Sequence, residues 1–159
     1  EALKARFAEL QEAYKGPVKL HLAAEYMMDA VFDERLNNDD LLLLGLKQNK
    51  VLVETSYFNP PAHFMQELRT IKSKGLFPVL AHPERYMYMT DEAYYKNLKQ
   101  QGIRFQLNVG SFCGAYGRTA KDKADMLLKN DFYDYRGTDL HNIELLELIL
   151  KTKMPENLK

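Results

Sequence analysis

One cysteine, Cys113, and no tryptophan occur in the 159 residues, which also contain only eight glycines and six prolines. A single thiol cannot close an intramolecular disulfide or build a Cys-rich zinc module, a usage that fits a reducing cytoplasm. Neither sign of charge is in excess: 22 Lys and Arg stand against 22 Asp and Glu, for a formal net charge of +0. That balance removes the basic footprint of a nucleic-acid or anionic-membrane binder, so neither partner is expected. Long apolar runs are missing too, each being interrupted well before the roughly 20 residues a membrane helix needs, so direct membrane insertion is not expected. No secretory pattern opens the chain, which starts at Glu1 without a methionine and enters a charged amphipathic stretch, as a trimmed or processed product would. No linker rich in Pro, Gly or Ser divides it, so residues 1–159 read as a single domain.

What is present is globular: 46% hydrophobic and 28% charged residues, arranged in two periodicities. Leu3, Phe7, Leu10 and Tyr14 recur at helical spacing, and Gly16 and Pro17 end that helix. Short apolar runs at 18–25, 51–56, 76–81 and 103–108 read as strands, with 132–138 as a weaker fifth. Helical patterns fill the gaps. One starts at Pro60-Pro61 and carries Phe64, Met65, Leu68 and Ile71; others cover 91–101, 119–130 and 143–151. Strands alternating with helices predict an α/β fold with a mainly parallel sheet or barrel.

In such folds the carboxyl ends of the strands carry the chemistry. The predicted strands end in Glu25, Glu54, His82, Asn108 and Asp139, with His141 two residues further on. Any one acid after a strand reads equally well as a helix cap or an ion-pair partner. Carboxylates and imidazoles repeated at one mouth form an oxygen-and-nitrogen cluster suited to divalent metals. Pro83 biases His82 toward an extended backbone. Arg85, three residues beyond His82, is placed to hold a phosphate through paired hydrogen bonds, or else to pair with Glu84 or Asp91. Asp139 and His141, at i and i+2, point to one face if the backbone is extended, although Asp139 could equally cap a helix. His21 reads as a half-buried strand residue and His63 as an exposed helical one. Tyr86, Tyr88, Tyr94 and Tyr95 suit a core, a partner surface or an aromatic substrate. Cys113 to Arg118 has four intervening residues where the phosphate loop of cysteine-dependent phosphatases has five, so the thiol reads as incidental and Gly114 and Gly117 as turn residues.

Taken in order, Ala24-Glu25-Tyr26, Val51-Leu52-Val53-Glu54, Leu80-Ala81-His82-Pro83-Glu84-Arg85-Tyr86, Gln106-Leu107-Asn108 with Ser111, Gly114, Tyr116 and Gly117, and Gly137-Thr138-Asp139-Leu140-His141-Asn142 span nearly the whole chain. This succession resembles the bacterial metal-dependent protein-tyrosine phosphatases of the PHP (polymerase and histidinol phosphatase) superfamily, the CpsB/YwqE-like enzymes of capsule and exopolysaccharide loci. The resemblance implies a PHP-type distorted (β/α)7 barrel, of which this chain supplies about five βα units. It also implies a cluster of divalent ions at the carboxyl mouth, manganese first, with iron, zinc and magnesium as alternatives. Glu25 would bridge two metals, Glu54 and His82 would complete one site with it, and Asp139 and His141 would belong to neighbouring sites. Arg85 would bind the phosphoryl group. The implied reaction is in-line hydrolysis of phosphotyrosine by metal-activated water, on an autophosphorylated bacterial tyrosine kinase of the cytoplasm that regulates capsular or exopolysaccharide synthesis.

The family's amino-terminal His-x-His strand, and a histidine following it, have no counterpart in this sequence. The expectation is therefore an amino-terminally truncated chain that binds fewer metals, turns over less and exposes strand edges prone to homo-oligomer formation. Two other readings stay open: a PHP phosphoesterase of a small metabolite such as histidinol phosphate, and a non-catalytic PHP domain that binds a phosphotyrosine tail.

Overall fold

Burial on both faces marks the central strands. In a computed structural model describing residues 2–153, these are β2 (Lys50–Glu54), β3 (Phe77–Ala81) and β4 (Arg104–Asn108). Val51, Leu52, Val53, Val79, Leu80 and Ala81 are all withdrawn from solvent, as in parallel strands covered on both sides, while β4 buries Phe105 and Leu107 on one face and leaves Arg104 and Gln106 half-buried on the other. Pro78 is tolerated near the start of β3 because pairing with β4 begins only at Val79. Two short strands flank these, β1 (Glu25–Met27) and β5 (Tyr135–Gly137). All five pair in parallel in the order β1-β2-β3-β4-β5. Each strand therefore lies beside its successor in sequence, and all carboxyl ends fall on one edge.

Helices make the crossovers. α1 (Ala2–Ala13) precedes β1, and α2 (Ala30–Asn37), α3 (Phe64–Ser73) and α4 (Glu92–Gln100) follow β1, β2 and β3 in turn. The four-residue α5 (Val109–Phe112) and α6 (Gly117–Lys129) link β4 to β5, and α7 (Ile143–Lys151) comes last. The main core lies between one sheet face and α2, α3 and α4, built from Phe32, Leu36, Leu68, Ile71, Tyr95 and Leu98 against Val51, Val53, Leu80 and Phe105. Each such Leu or Phe contributes about 1.5–3 kcal/mol on burial. The opposite face holds a smaller cluster of Leu52, Val79 and Ala81. α1 buries none of its residues and α7 buries only Leu145. Among the described residues no helix is long and apolar enough to cross a membrane.

Two sequence expectations need correction, and one helix was not expected. The run at 18–25 is not a strand; Val18 and His21 are exposed, and β1 begins where that run was to end, at Glu25. Hydrophobic residues in those positions meet no neighbouring ladder. The helix expected from Pro60 starts at Phe64, because Pro61 to Phe64 closes a turn in which the Phe64 amide donates to the Pro61 carbonyl. An unanticipated helix, α2, forms where the Asp29 side chain accepts from the Phe32 amide at 2.9 Å and Phe32 and Leu36 then bury one face.

Candidate metal centre

Strand register brings the first two acids together. Glu25 is paired with Leu52, and Leu52 and Glu54 share a face of β2, so both carboxylates leave the sheet on the side of the small cluster. His82 reaches the same place by a different route. Its backbone is left-handed, with φ 35° and ψ 53°, in contrast to the extended conformation expected before proline. Two hydrogen bonds hold it there: the His82 amide donates to the Gln106 carbonyl, and the His82 carbonyl accepts from the Arg85 amide, both at 2.9 Å. The strand thus breaks into a tight turn, Pro83–Arg85, that returns Arg85 to the mouth.

His82 Nε2 lies 2.9 Å from Glu25 Oε1 and 3.4 Å from Glu54 Oε2. One ligand atom from each of the three residues lies within 4.8 Å of the others. The imidazole is buried, packed 5.8 Å from the Tyr57 ring and 5.7 Å from that of Tyr86, while its Nδ1 has no hydrogen-bond partner. Burial pushes its pKa down, but the hydrogen bonds to Glu25 and Glu54 outweigh this and hold it up at about 9. The two carboxylates thus favour a positive charge between them, which a protonated His82 would supply. Two carboxylates and an imidazole are also a donor set that first-row divalent cations accept, so the residues fit such an ion.

Arg85 stands beside this trio. Its Nη1 donates to Asp139 Oδ2 at 3.2 Å, and its Cζ lies over the rings of Tyr116 at 4.0 Å and Tyr57 at 4.5 Å. Asp139 Oδ2 also accepts from Asn108 Nδ2 at 3.0 Å. Asn108 is fixed in turn, its Oδ1 accepting from the Gly110 amide at 2.8 Å. Gly110 has no room for a side chain: a Cβ would meet Leu145 at 2.9 Å and Asn108 Oδ1 at 3.0 Å. Behind the turn, buried Glu84 accepts from the Asn108 amide at 3.1 Å and the Tyr133 hydroxyl at 2.9 Å, locking the turn to β4. The mouth so formed encloses a cavity of about 510 Å³.

Glu25, Glu54 and His82 therefore converge, and Arg85, Asp139 and His141 line the same cavity. Asp139 and His141 do not join the three-residue group among the described residues. They pair with each other, Nδ1 to Oδ1, at 3.3 Å, and His141 is largely exposed. The cap of α7 is Asn142 rather than Asp139. His63 is exposed, as expected, and Gly114 and Gly117 take positive φ in the turns leading to α6. Sequence reasoning missed Tyr57 as a site residue and used Tyr116 only as part of a motif. A signal existed, since Tyr57 follows Glu54 by three residues just as Arg85 follows His82.

Fold and site together define a parallel α/β domain with an acid-imidazole centre and an adjacent arginine at the carboxyl edge of its sheet. The profile of the family described as "Capsular polysaccharide synthesis, CpsB/CapC" matches residues 1–147, and the chain belongs to that family. Tyrosine-protein phosphatase YwqE of Bacillus subtilis (strain 168) is 28% identical over 104 residues, 64% of this chain and 41% of YwqE. The chain thus spans about two-fifths of the length of that curated relative. A solved structure from work on YwqE of Bacillus subtilis and CpsB of Streptococcus pneumoniae, described as unique metal-dependent tyrosine phosphatases, superposes with a TM-score of 0.75. At 22% identity it covers 98% of this chain and 66% of the other, a likeness of fold.

Proposed function

We propose that residues 1–159 form one metal-dependent protein-tyrosine phosphatase domain whose sheet is an arc of a PHP-type (β/α)7 barrel. The observation that carries this reading is the meeting of Glu25, Glu54 and His82 within 4.8 Å, beside Arg85, in a chain of the CpsB/CapC family. The names of its relatives support the same activity. Glu25, Glu54 and His82 would hold a divalent ion, manganese first, and Asp139 and His141 offer ligands for neighbouring ions. When bound, the metal supplies Lewis acidity, which lowers the pKa of water and offsets charge on the phosphoryl oxygens.

The chain's own residues do the rest. Arg85 holds the phosphoryl group by charge-assisted hydrogen bonds, and Asp139 and Asn108 fix where that guanidinium sits. The tyrosinate leaving group, with a pKa near 10, asks little of a general acid. The substrate is a phosphotyrosine tail on a cytoplasmic bacterial tyrosine kinase that regulates capsular or exopolysaccharide synthesis.

Turnover of a phosphotyrosine peptide and of histidinol phosphate, with manganese and with chelator, tests this. The peptide should be hydrolysed only with metal, and Arg85→Gln should raise KM. Preference for histidinol phosphate would overturn the substrate assignment, and peptide binding in chelator without hydrolysis under any metal would overturn catalysis.

A further inference from the structure

Arg85 is held by three segments that are remote in sequence. Asp139 comes from the turn after β5, Tyr57 from the loop between β2 and α3, and Tyr116 from the turn before α6. An arginine otherwise carries the large rotamer entropy of a long flexible side chain, which a phosphate must overcome each time it binds. Here the guanidinium is mostly buried, its side chain 16% exposed, and two aromatic rings lie 4.0 and 4.5 Å from its central carbon. The half-buried Tyr57 ring is itself packed, stacked 6.1 Å from the buried Tyr86 ring and tilted against the His82 ring at 5.8 Å. Tyr116 is anchored differently, where the chain turns through Gly114 and Gly117, close against Gly110.

We infer that Tyr57 and Tyr116 are positioning residues which pre-order the Arg85 guanidinium for an incoming phosphoryl group. The inference rests on the reading of Arg85 as the phosphoryl ligand. Ring faces attract a guanidinium more strongly where water is excluded, and the contact needs the ring rather than the hydroxyl. Phenylalanine should therefore replace either tyrosine in this role, whereas leucine should not. Tyr57 also bridges the two halves of the site, touching the His82 ring on one side and Arg85 on the other.

The test uses the whole chain, labelled with ¹⁵N-arginine and kept in chelator, with inorganic phosphate as the probe. Phosphate affinity is measured by isothermal titration calorimetry in every variant, and the order of the Arg85 Nε–Hε group, where arginine is present, from relaxation. Tyr116→Leu should loosen the Arg85 N–H and weaken phosphate binding by about tenfold, while Tyr116→Phe retains both. Tyr57→Leu should act likewise, with far-UV circular dichroism checking that it folds. If leucine and phenylalanine variants bind phosphate alike, or if Arg85 loosens without loss of affinity, the positioning role is overturned. Arg85→Gln separates the two readings: phosphate binding unchanged by that substitution overturns the phosphoryl-ligand assignment itself, and the positioning role with it.

Discussion

His82 and Asp139 both take left-handed backbones, with φ of 35° and 47°, and both line the candidate site. Such conformations cost on the order of 1–3 kcal/mol each in non-glycine residues and persist only where the surroundings over-determine them. The His82 amide and carbonyl bonds, and the Asp139 contacts to Arg85 and Asn108, are those surroundings. Strain at both positions serves one end, which is to aim a short side chain back into the mouth. Glu54 needs no such device because it stands at the end of a regular strand. Its carboxylate charge is what matters, so Glu54→Gln, nearly the same shape, isolates that charge. Midpoints of metal-dependent activation should rise by at least about 10–100-fold, the range seen when even the supports of metal ligands are lost. A metal titration of phosphotyrosine turnover measures this, and an unmoved midpoint would remove Glu54 from the ligand set.

Elements were legible where burial alone decided them. Val51 to Val53 and Val79 to Ala81 are apolar because both sheet faces are covered, and in β4 Phe105 and Leu107 bury one face while Gln106 between them is half-buried, so β2, β3 and β4 could be read directly from the sequence. The run before Glu25 is equally apolar in places, yet a strand needs a partner at the right register, and that is a tertiary fact. The left-handed turn at His82 was hidden for the same reason, since the Gln106 carbonyl that holds it is 24 residues away. The acids and imidazoles at strand ends were legible one by one; the rings flanking Arg85 come from separate loops and were not. At the α2–α3 contact, Glu67 is half-buried and its Oε2 has no hydrogen-bond partner. Burial raises its pKa most and the nearby charge of Asp33 raises it further, with an opposing pull from His63 and a lesser push from Asp29. Because folding raises this pKa, the native state binds the proton more tightly than the unfolded chain. Stability is therefore lost as pH rises through the folded value. Glu67→Gln should therefore stabilise the chain by about 1 kcal/mol at pH 7 in urea unfolding. That gain should vanish below about pH 4, where Glu67 is protonated in both states. A gain independent of pH would point to packing instead.

At the scale of the molecule, the three candidate ligands come from three neighbouring strands, Glu25 in β1, Glu54 in β2 and His82 just after β3. Elsewhere at this edge the strands are joined mainly by their ladders, and β1 contributes only three residues to its ladder. A cation shared by the three side chains would tie this short edge strand to the two strands beside it, and would replace the positive charge that a protonated His82 would place between the carboxylates. Anything that binds only the folded state stabilises it, by about 2.7 kcal/mol at a hundredfold excess over Kd. In a domain of this size that corresponds to a rise in Tm of roughly 5–10 °C. Manganese added to the chelator-treated chain should produce this shift in a calorimetric or fluorescence melt, whereas magnesium, which binds imidazole poorly, should produce a smaller one. The shift should shrink in Glu54→Gln and persist in Arg85→Gln, because Arg85 touches Asp139 and the two tyrosines but supplies no ligand atom. No change in Tm at millimolar manganese would show that the three residues meet for their own ion pairing alone.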